Sequence, residues 1–472
     1  MSGFRQGSWL SRLGVLAIAL AMLGMSGAPP AAVVARPAVA QDENVERIKR
    51  IVVIYLENHS FDNLYGVFPG ANGLASAADA QRFQVDKQGQ PYGVLPAPLA
   101  APVGGRRDPD PRFPTDLAPA PFLLNLYLSF DEPGGDLIHA FYREQYQIDG
   151  GSMTKFAAWS DAAGLAMGYW DAAGLPLYEL AKEYTVADNF FHAAFGGSFL
   201  NHFWLVCGCT PTWPDAPADV VAVPFPDDAE HLQDRAVSPD GFAVNTAYTV
   251  NAPHPATVAA DHLLPNQTMP TIGDRLSDAG ISWAWYAGGW NDALAGRPDP
   301  LFQFHHQPFA YFARYADGTA EKDAHLKDEQ DFFTALQQGT LPAVSFIKPL
   351  GPDNEHPRYA ALRQGEEHAA QIIRAIQQSP FWAETAIIVT YDEHGGYWDH
   401  VAPPVVDHWG PGLRVPTIVI SPFAKRGYVD HTQYDTTSIL ALIERRWGLA
   451  PLAARDASVS DLLAAFDFSQ SP

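Results

Sequence analysis

Cysteine is nearly absent from this sequence of 472 residues, in which Cys207 and Cys209 are the only two. Two cysteines cannot form the disulfide framework that stabilises small secreted domains, so a hydrophobic core must hold the fold together. The pair could bridge to each other, which would be strained between positions i and i+2, or could line the core beside Gly208. The sequence leaves both interpretations open.

Positive charge is also scarce, with 30 lysine and arginine residues against 53 aspartate and glutamate residues. The resulting net charge of -23 repels polyanions, which argues against nucleic acid and anionic membrane surfaces as partners. A small phosphate ester could still bind, but it would need a local positive centre. In an acidic protein, a bound metal ion is the simplest source of that charge.

No segment after residue 25 is long and apolar enough to look transmembrane. The apolar run at 13–25 follows Arg5 and Arg12, is short for a membrane span, and precedes the small residues at 38–40. We predict that residues 1–40 are a signal peptide and that the mature protein is periplasmic or secreted, without stable membrane insertion. A retained N-terminal anchor is the alternative.

The rest of the chain has the composition of a globular enzyme, with 47% hydrophobic and 18% charged residues. We predict one domain over residues 41–472. Two stretches rich in proline and alanine, at about 87–120 and 209–268, interrupt it and are typical of lids or substrate-shaping insertions.

Apolar runs at 51–56 and 386–391 are typical of buried parallel strands. Between and after them, the sequence predicts helices at 176–184, 271–280, 369–376 and 435–447, and strands at 281–286, 342–347 and 415–421. This alternation indicates an α/β fold with a large, mostly parallel central sheet sandwiched by helices. Such sheets bind ligands at the carboxyl ends of their strands.

Acidic and amide side chains follow two of these strands directly: Glu57 and Asn58 in one case, Asp392 and Glu393 in the other. Either pair alone could be turn or capping residues. Because both pairs have the same placement, and buried carboxylates need a positive partner, we predict a divalent metal site. Oxygen ligands favour Ca, Mg or Mn, while Zn stays possible.

A Gly-Gly-Ser segment ends at Ser198 and is followed by Asn201 and His202. Glycines allow close approach to a ligand, and a metal-bound hydroxyl loses its proton readily, so Ser198 could act as a nucleophile. The same three residues are common in ordinary turns.

Histidines near glycine, proline or strand ends form a third group of candidates. They are His139, His305, His306, His356, His394 and His400. An imidazolium can protonate a leaving alkoxide or hold phosphoryl oxygens, although a single histidine is more often structural.

Taken in order, these segments resemble the bacterial acid phosphatase and phospholipase C family, which is similar in fold to the alkaline phosphatase superfamily. The segment at 51–66, IVVIYLENHSFDNLYG, resembles its opening signature. The resemblance continues through His139, DNFFHAAFGGSFLNHFW from Asp188, HHQPF from His305, YDEHGGYWDHV from Tyr391 and RVPTIVISPFAKRGYVDH from Arg414. These segments cover most of the mature chain.

The resemblance implies a role for each matching residue. Metal ligands would be Glu57, Asn58, Asp392, Glu393 and the nucleophile Ser198. The phosphate pocket would contain His139, His305, His306, His356 and, as a substrate contact, Asn201. His59 and His394 stand where many relatives have Arg and Asn. From the chemistry of imidazole we predict that His139 or His356 protonates the leaving group.

These predictions together describe an exported metal-dependent phosphoester hydrolase acting through a phosphoserine intermediate. The HHQPF run resembles the acid phosphatase branch, with a phospholipase C that cleaves phosphocholine-type headgroups as the alternative. A sulfatase is disfavoured because its C/S-x-P-x-R signature is absent. A non-catalytic exported binding protein is disfavoured because Ser198 and the carboxylates are present.

Overall fold

The computed structural model describes residues 44–470, so the predicted signal peptide lies outside the described residues. We find no helix within 44–470 with both the length and the apolar character needed to cross a bilayer.

The centre of the fold is an eight-stranded sheet. Its strands are β1 Arg50–Leu56, β2 Thr185–Ala187, β3 Trp283–Ala287, β4 Leu326–Asp328, β5 Val344–Lys348, β6 Thr385–Tyr391, β7 Thr417–Ile420 and β8 Tyr428–Asp430. Their spatial order is β4-β3-β5-β1-β6-β7-β2-β8. Only β7 runs antiparallel to its neighbours, so the predicted mostly parallel sheet is confirmed.

Helices pack around this sheet. Within 44–470 they are α1 Phe61–Tyr65, α2 Asp79–Arg82, α3 Phe141–Ile148, α4 Phe156–Trp159, α5 Pro176–Glu183, α6 Ser198–Cys207, α7 Ile272–Asp278, α8 Trp290–Leu294, α9 Ala320–His325, α10 Glu329–Gln338, α11 Leu362–Gln377 and α12 Thr437–Trp447. Three groups of helices pack among themselves: α11 with α5 and α10, α6 with α7 and α12, and α3 with α4. The predicted α/β class is therefore confirmed.

Local signals explain most helix ends. Thr271 caps α7 by accepting a hydrogen bond from the Asp274 amide, and Gly448 ends α12 in a left-handed conformation. The Gly-Gly-Ser segment is not an isolated turn, because its serine, Ser198, is the first residue of α6. At the other end of α6, Cys207 and Cys209 form a disulfide, which answers the question left open by the sequence.

The two predicted insertions contain little regular structure. The second includes two short ladders, Pro224–Phe225 with Asp228–Leu232 and Tyr248–Thr249 with Leu263–Leu264. Two further ladders join Phe122–Leu123 to Gly168–Tyr169 and Phe190–Phe191 to Tyr434–Asp435. The domain boundaries stay a prediction.

Strand register positions the site. In the centre of the sheet, β1 lies between β5 and β6, with Leu56 opposite Tyr391 and Ile54 opposite Ile347. The strands β1, β5 and β6 are parallel, so the residues that follow them emerge at one edge. Glu57 and Asp392 are therefore neighbours in space.

Candidate active site

A lysine lies between the carboxylates at this edge. The Lys348 ammonium is 3.0 Å from Glu57 Oε1 and 3.2 Å from Asp392 Oδ2. All three side chains are buried, as is Glu393. The structure thus brings two of the predicted metal-binding carboxylates, Glu57 and Asp392, together around one internal cation.

The hydroxyl of Ser198 faces the same group. Its Oγ donates a hydrogen bond to Glu393 Oε1 at 3.3 Å, and the residue is 7% exposed. As the first residue of the ten-residue helix α6, Ser198 lies at the positive end of the helix dipole. Amides of the first helical turn have no partners within the helix and can bind an anion placed there.

Asn58 is held in an unusual conformation beside these residues. Its φ of 82° lies in the left-handed region, which asparagine tolerates better than most residues. Its Nδ2 donates to His139 Nε2 at 3.1 Å, while its buried Oδ1 has no hydrogen-bond partner within residues 44–470. Gly395 packs so closely that a Cβ there would lie 2.1 Å from the Asn58 carbonyl oxygen.

The carboxylates are not electrically balanced. Burial raises the pKa of Asp392 to about 7 although Lys348 opposes the rise, and burial together with Asp392 holds the pKa of Glu393 well above its usual range. Burial also acts to raise the pKa of Glu57, but His306 and Lys348 outweigh it and hold that pKa well below normal. Glu57 and Asp392 share the ammonium of Lys348. Glu393, in contrast, faces only the His139 imidazole among the ion pairs of the described chain. When all three carboxylates are ionised, two negative charges remain, which a divalent cation would neutralise.

The donor set also fits a metal ion. Asn58 Oδ1 and Asp392 Oδ1 are buried oxygens without hydrogen-bond partners in the described part of the chain. Buried polar atoms normally have partners, and hard divalent cations select carboxylate and amide oxygens. The residues at the strand ends therefore suit an oxygen-coordinated ion.

Four histidines surround the carboxylates. His306 Nε2 contacts Glu57 Oε1, His356 Nε2 lies 4.0 Å from Glu57 Oε2, and His139 Nε2 lies 3.6 Å from Glu393 Oε1. A cavity of about 470 Å³ opens above Ser198, and His139, His305 and His356 line it. Burial is the main cause that lowers the pKa of each of the four imidazoles, to about 3 for His356.

The profile of the phosphoesterase family matches residues 48–450 of this chain. The chain belongs to this family. Phospholipase C B of Mycobacterium tuberculosis is 25% identical over 469 residues, which cover 90% of this chain and 78% of that protein. A non-hemolytic phospholipase C of Burkholderia pseudomallei is 26% identical, over 92% of this chain and 61% of that protein. This phosphoesterase is a hydrolase of phosphoric esters.

Solved structures resemble the phosphoesterase more distantly. One is a protein in the alkaline phosphatase superfamily from Vibrio parahaemolyticus, with a TM-score of 0.34, 12% identity, and coverage of 62% of this chain and 64% of that one. At a score this low, family membership rests on the sequence match.

Some predicted residues have other partners in the phosphoesterase. The Asn201 amide is fully buried and binds the backbone of the loop before Ser198, accepting from Ala194 N at 3.0 Å and donating to carbonyls of Ala194, Gly196 and Gly197. Asn201 thus holds the loop that precedes Ser198, and its predicted contact with substrate stays a prediction.

His400 and His59 also lie outside the cavity lining. His400 Nδ1 pairs with Asp62 at 2.6 Å in a network around the buried Arg414, and His59 bridges Asn63 and the Glu355 carbonyl. Both are structural in this fold.

Sequence reasoning missed Lys348. A signal was present, because Lys348 directly follows the predicted strand at 342–347, just as Glu57 and Asp392 follow theirs. A buried lysine at a strand end needs carboxylates for the same reason that buried carboxylates need a cation.

Replacing Lys348 should destabilise the protein. In Lys348→Met, Glu57 and Asp392 lose the ammonium between them, so the unfolding free energy of metal-free protein should fall by about 3–5 kcal/mol. Chemical denaturation measures this change. Lys327→Met, which alters a more exposed lysine of β4, is the matched control. Equal stability of the two variants would contradict a pairing role for Lys348.

Proposed function

We propose that this phosphoesterase hydrolyses small phosphate monoesters in two steps, with Ser198 as nucleophile. A divalent ion would be held by Glu57, Asn58, Asp392 and Glu393 and would contact Ser198. The observation that supports this most directly is the Ser198 hydroxyl, hydrogen-bonded to Glu393 and facing the cavity that the histidines line.

The bound ion would lower the pKa of the Ser198 hydroxyl and offset charge on the phosphoryl group. All proposed ligands are oxygens, which favours Ca, Mg or Mn over Zn. Glu393 accepts the hydrogen bond of the Ser198 hydroxyl and would take its proton, so that Oγ can attack phosphorus while the bond to the leaving oxygen breaks. The N-terminus of α6 stabilises charge on the phosphoryl oxygens, and water then hydrolyses the phosphoserine.

Hydrogen bonding distinguishes the two predicted proton donors. His356 Nδ1 accepts from the Arg358 amide at 3.2 Å, so the proton of the neutral ring is on Nε2, on the side of Glu57. His139 Nδ1 must instead donate to the Leu137 carbonyl at 2.7 Å, which leaves its Nε2 to accept from Asn58. His356 therefore presents an N–H to the site and His139 does not, so we assign leaving-group protonation to His356, and the proton released when water hydrolyses the phosphoserine would restore its neutral ring.

The His356→Gln variant should show a leaving-group-dependent loss. An alkyl phosphate needs its leaving oxygen protonated, so turnover of glycerol phosphate should fall by about 10²–10⁴-fold. p-Nitrophenyl phosphate has a good leaving group and should be affected much less. His305→Gln, which removes a cavity histidine without this role, should reduce both rates alike. An equal loss on both esters in His356→Gln would exclude it as the acid.

The charges of the cavity favour a monoester over a choline ester. Arg235 and Arg358 line it, and both lining carboxylates besides Glu57 already face guanidinium groups. Asp136 lies 3.6 Å from Arg358, and Asp234 lies 3.5 Å from Arg143. A phosphate dianion gains from such a lining, whereas a quaternary ammonium group would have only the aromatic rings of Phe199 and Tyr359 there and no free carboxylate besides Glu57.

Cleavage of phospholipid headgroups is the second candidate, because the relatives above are named phospholipases C. The test is to compare kcat/KM for p-nitrophenyl phosphate, bis-p-nitrophenyl phosphate, p-nitrophenyl sulfate and phosphatidylcholine, with each divalent metal. We expect the phosphate monoester to be the best substrate. A higher kcat/KM for phosphatidylcholine would replace the phosphatase proposal with the phospholipase one.

Export is the remaining part of the proposal. The disulfide between Cys207 and Cys209 agrees with an oxidising compartment such as the periplasm or the extracellular medium. Residues 1–40 have the features of a signal peptide. Fractionation of producing cells, with and without these residues, tests export.

A further inference from the structure

Three buried side chains beside the active site form a second group of ligand atoms. Glu144 of α3, His192 and His394 have ligand atoms within 4.8 Å of one another. His192 Nε2 is 3.0 Å from Glu144 Oε1, and His394 Nε2 is 3.7 Å from Glu144 Oε2. All three residues are inaccessible to solvent.

Hydrogen bonds define the tautomers of both rings. His192 Nδ1 lies 2.8 Å from the Ala194 carbonyl, and His394 Nδ1 lies 3.2 Å from the Tyr397 carbonyl. A carbonyl only accepts, so each Nδ1 donates a proton, and each neutral ring has its lone pair on Nε2. Both Nε2 atoms lack a hydrogen-bond partner in the described part of the chain. Two buried lone pairs therefore face one carboxylate, and this arrangement needs a cation.

Protons satisfy this arrangement poorly. One proton would pair only one of the two histidines with Glu144. Two protons would place two buried imidazolium rings, stacked at 5.5 Å, against a single carboxylate. One divalent ion would satisfy both Nε2 atoms and the carboxylate together.

The geometry matches a metal ion. Around tetrahedral zinc, with bonds of about 2.0–2.1 Å, neighbouring ligand atoms stand roughly 3.3 Å apart. The two measured separations, 3.0 and 3.7 Å, lie on either side of that value. Metal-binding histidines commonly donate their other ring N–H to a backbone carbonyl, as both rings do here.

Because Gly412 has no side chain, there is room beside it for the side chains of Glu144 and His192. A Cβ at this position would lie 2.1 Å from His192 Cε1 and 2.5 Å from Glu144 Oε1. Any side chain there would displace both proposed ligands.

We propose that Glu144, His192 and His394 bind a second divalent ion, of the zinc class, apart from the ion at Glu57 and Asp392. Two imidazoles and a carboxylate suit zinc better than Ca or Mg, which select oxygen ligands. The two nitrogens and one Glu144 oxygen supply three protein ligands of a tetrahedral shell, whose fourth position would be left for a water molecule.

This second ion would hold the catalytic segments in place. Glu144 also accepts a hydrogen bond from the Gly196 amide, two residues before Ser198. His394 directly follows Glu393 at the end of β6. The ion would therefore fix α3 to the nucleophile loop and to the segment that bears the catalytic carboxylates.

A similar group elsewhere already contains its cation. Asp62, Asp399 and His400 also have ligand atoms close together, but the Arg414 guanidinium lies 3.0 Å from Asp399 and 3.2 Å from Asp62. Residues near Glu144 provide no corresponding guanidinium or ammonium contact among the ion pairs of the described chain.

Metal content of the full-length protein tests the proposal. Protein produced with zinc supplementation and then desalted should contain two metal equivalents per chain by mass spectrometry. His192→Gln and His394→Gln should each lose one equivalent, and Glu57→Gln/Asp392→Asn should lose the other. His59→Gln removes an equally buried histidine and should retain both equivalents.

Two results would overturn the second site. One is a wild-type protein with a single equivalent that disappears in Glu57→Gln/Asp392→Asn and persists in His394→Gln, which would leave the catalytic ion intact. The other is the lack of an anomalous peak between Glu144, His192 and His394 in wild-type crystals measured at the zinc edge. This measurement decides the question even where the histidine variants do not fold.

Discussion

Ser198→Ala should lower kcat on p-nitrophenyl phosphate by about 10⁴-fold or more, because it removes the proposed attacking oxygen. The fold should survive. Ser198 Oγ hydrogen-bonds to the site carboxylates, with Glu393 at 3.3 Å, and the smaller alanine side chain adds no volume to the buried first turn of α6. Steady-state kinetics and thermal unfolding of the same preparation separate the two effects.

Ser345→Ala is the matched control. Ser345 is also buried, lies on β5 and has an Oγ without a hydrogen-bond partner within residues 44–470. This control should retain wild-type turnover. Acid quenching during turnover of a labelled phosphate ester should trap phosphoserine in the wild type and in Ser345→Ala only. Trapped label in Ser198→Ala, or turnover near the wild-type rate, would refute Ser198 as the nucleophile.

Asp392→Asn should remove the catalytic ion and most of the activity. The change removes one negative charge from the group that would bind the metal, and we expect kcat to fall by about 10³-fold, equivalent to about 4 kcal/mol. Chelation of the wild type should produce the same loss, reversible on addition of the divalent metal. Metal analysis and kinetics check both.

Asp328→Asn provides the control for a strand-end aspartate in the same sheet. Asp328 ends β4 and caps α10 by accepting from the Gln330 amide, and asparagine caps helices as well as aspartate, so this variant should keep both stability and turnover near the wild-type values. If Asp392→Asn retained both its metal and its activity, Asp392 would not be a ligand.

The same carboxylate predicts how metal affinity depends on pH. In metal-free protein the pKa of Asp392 is raised to about 7 by burial, so below pH 7 a proton occupies this group and competes with the metal. The raised pKa of Glu393 adds a second competing proton, so metal affinity should fall by at least about tenfold for each pH unit below 7. Titration calorimetry between pH 5 and pH 8 measures it, and a pH-independent affinity would contradict the assignment.

Short strands show the limit of sequence patterns in this fold. The long strands β1 and β6 were predicted within one residue of their ends, because uninterrupted apolar runs are a local signal. The strands β2, β4 and β8 were missed, since three residues are too few to show a periodic pattern. The antiparallel direction of β7 depends on pairing with β6 and β2, which no local run of residues specifies.

The sequence by itself determined the strands that end in Glu57 and Asp392, the serine beside two glycines, and the family to which the ordered segments belong. These features are local, so neighbouring residues are enough to reveal them. Only the tertiary structure decided that Lys348 lies between the carboxylates, that the Asn201 amide hydrogen-bonds to the loop backbone, and that Glu144 faces two histidines. Those contacts join distant segments, and their energies depend on burial that exists only once the sheet has formed.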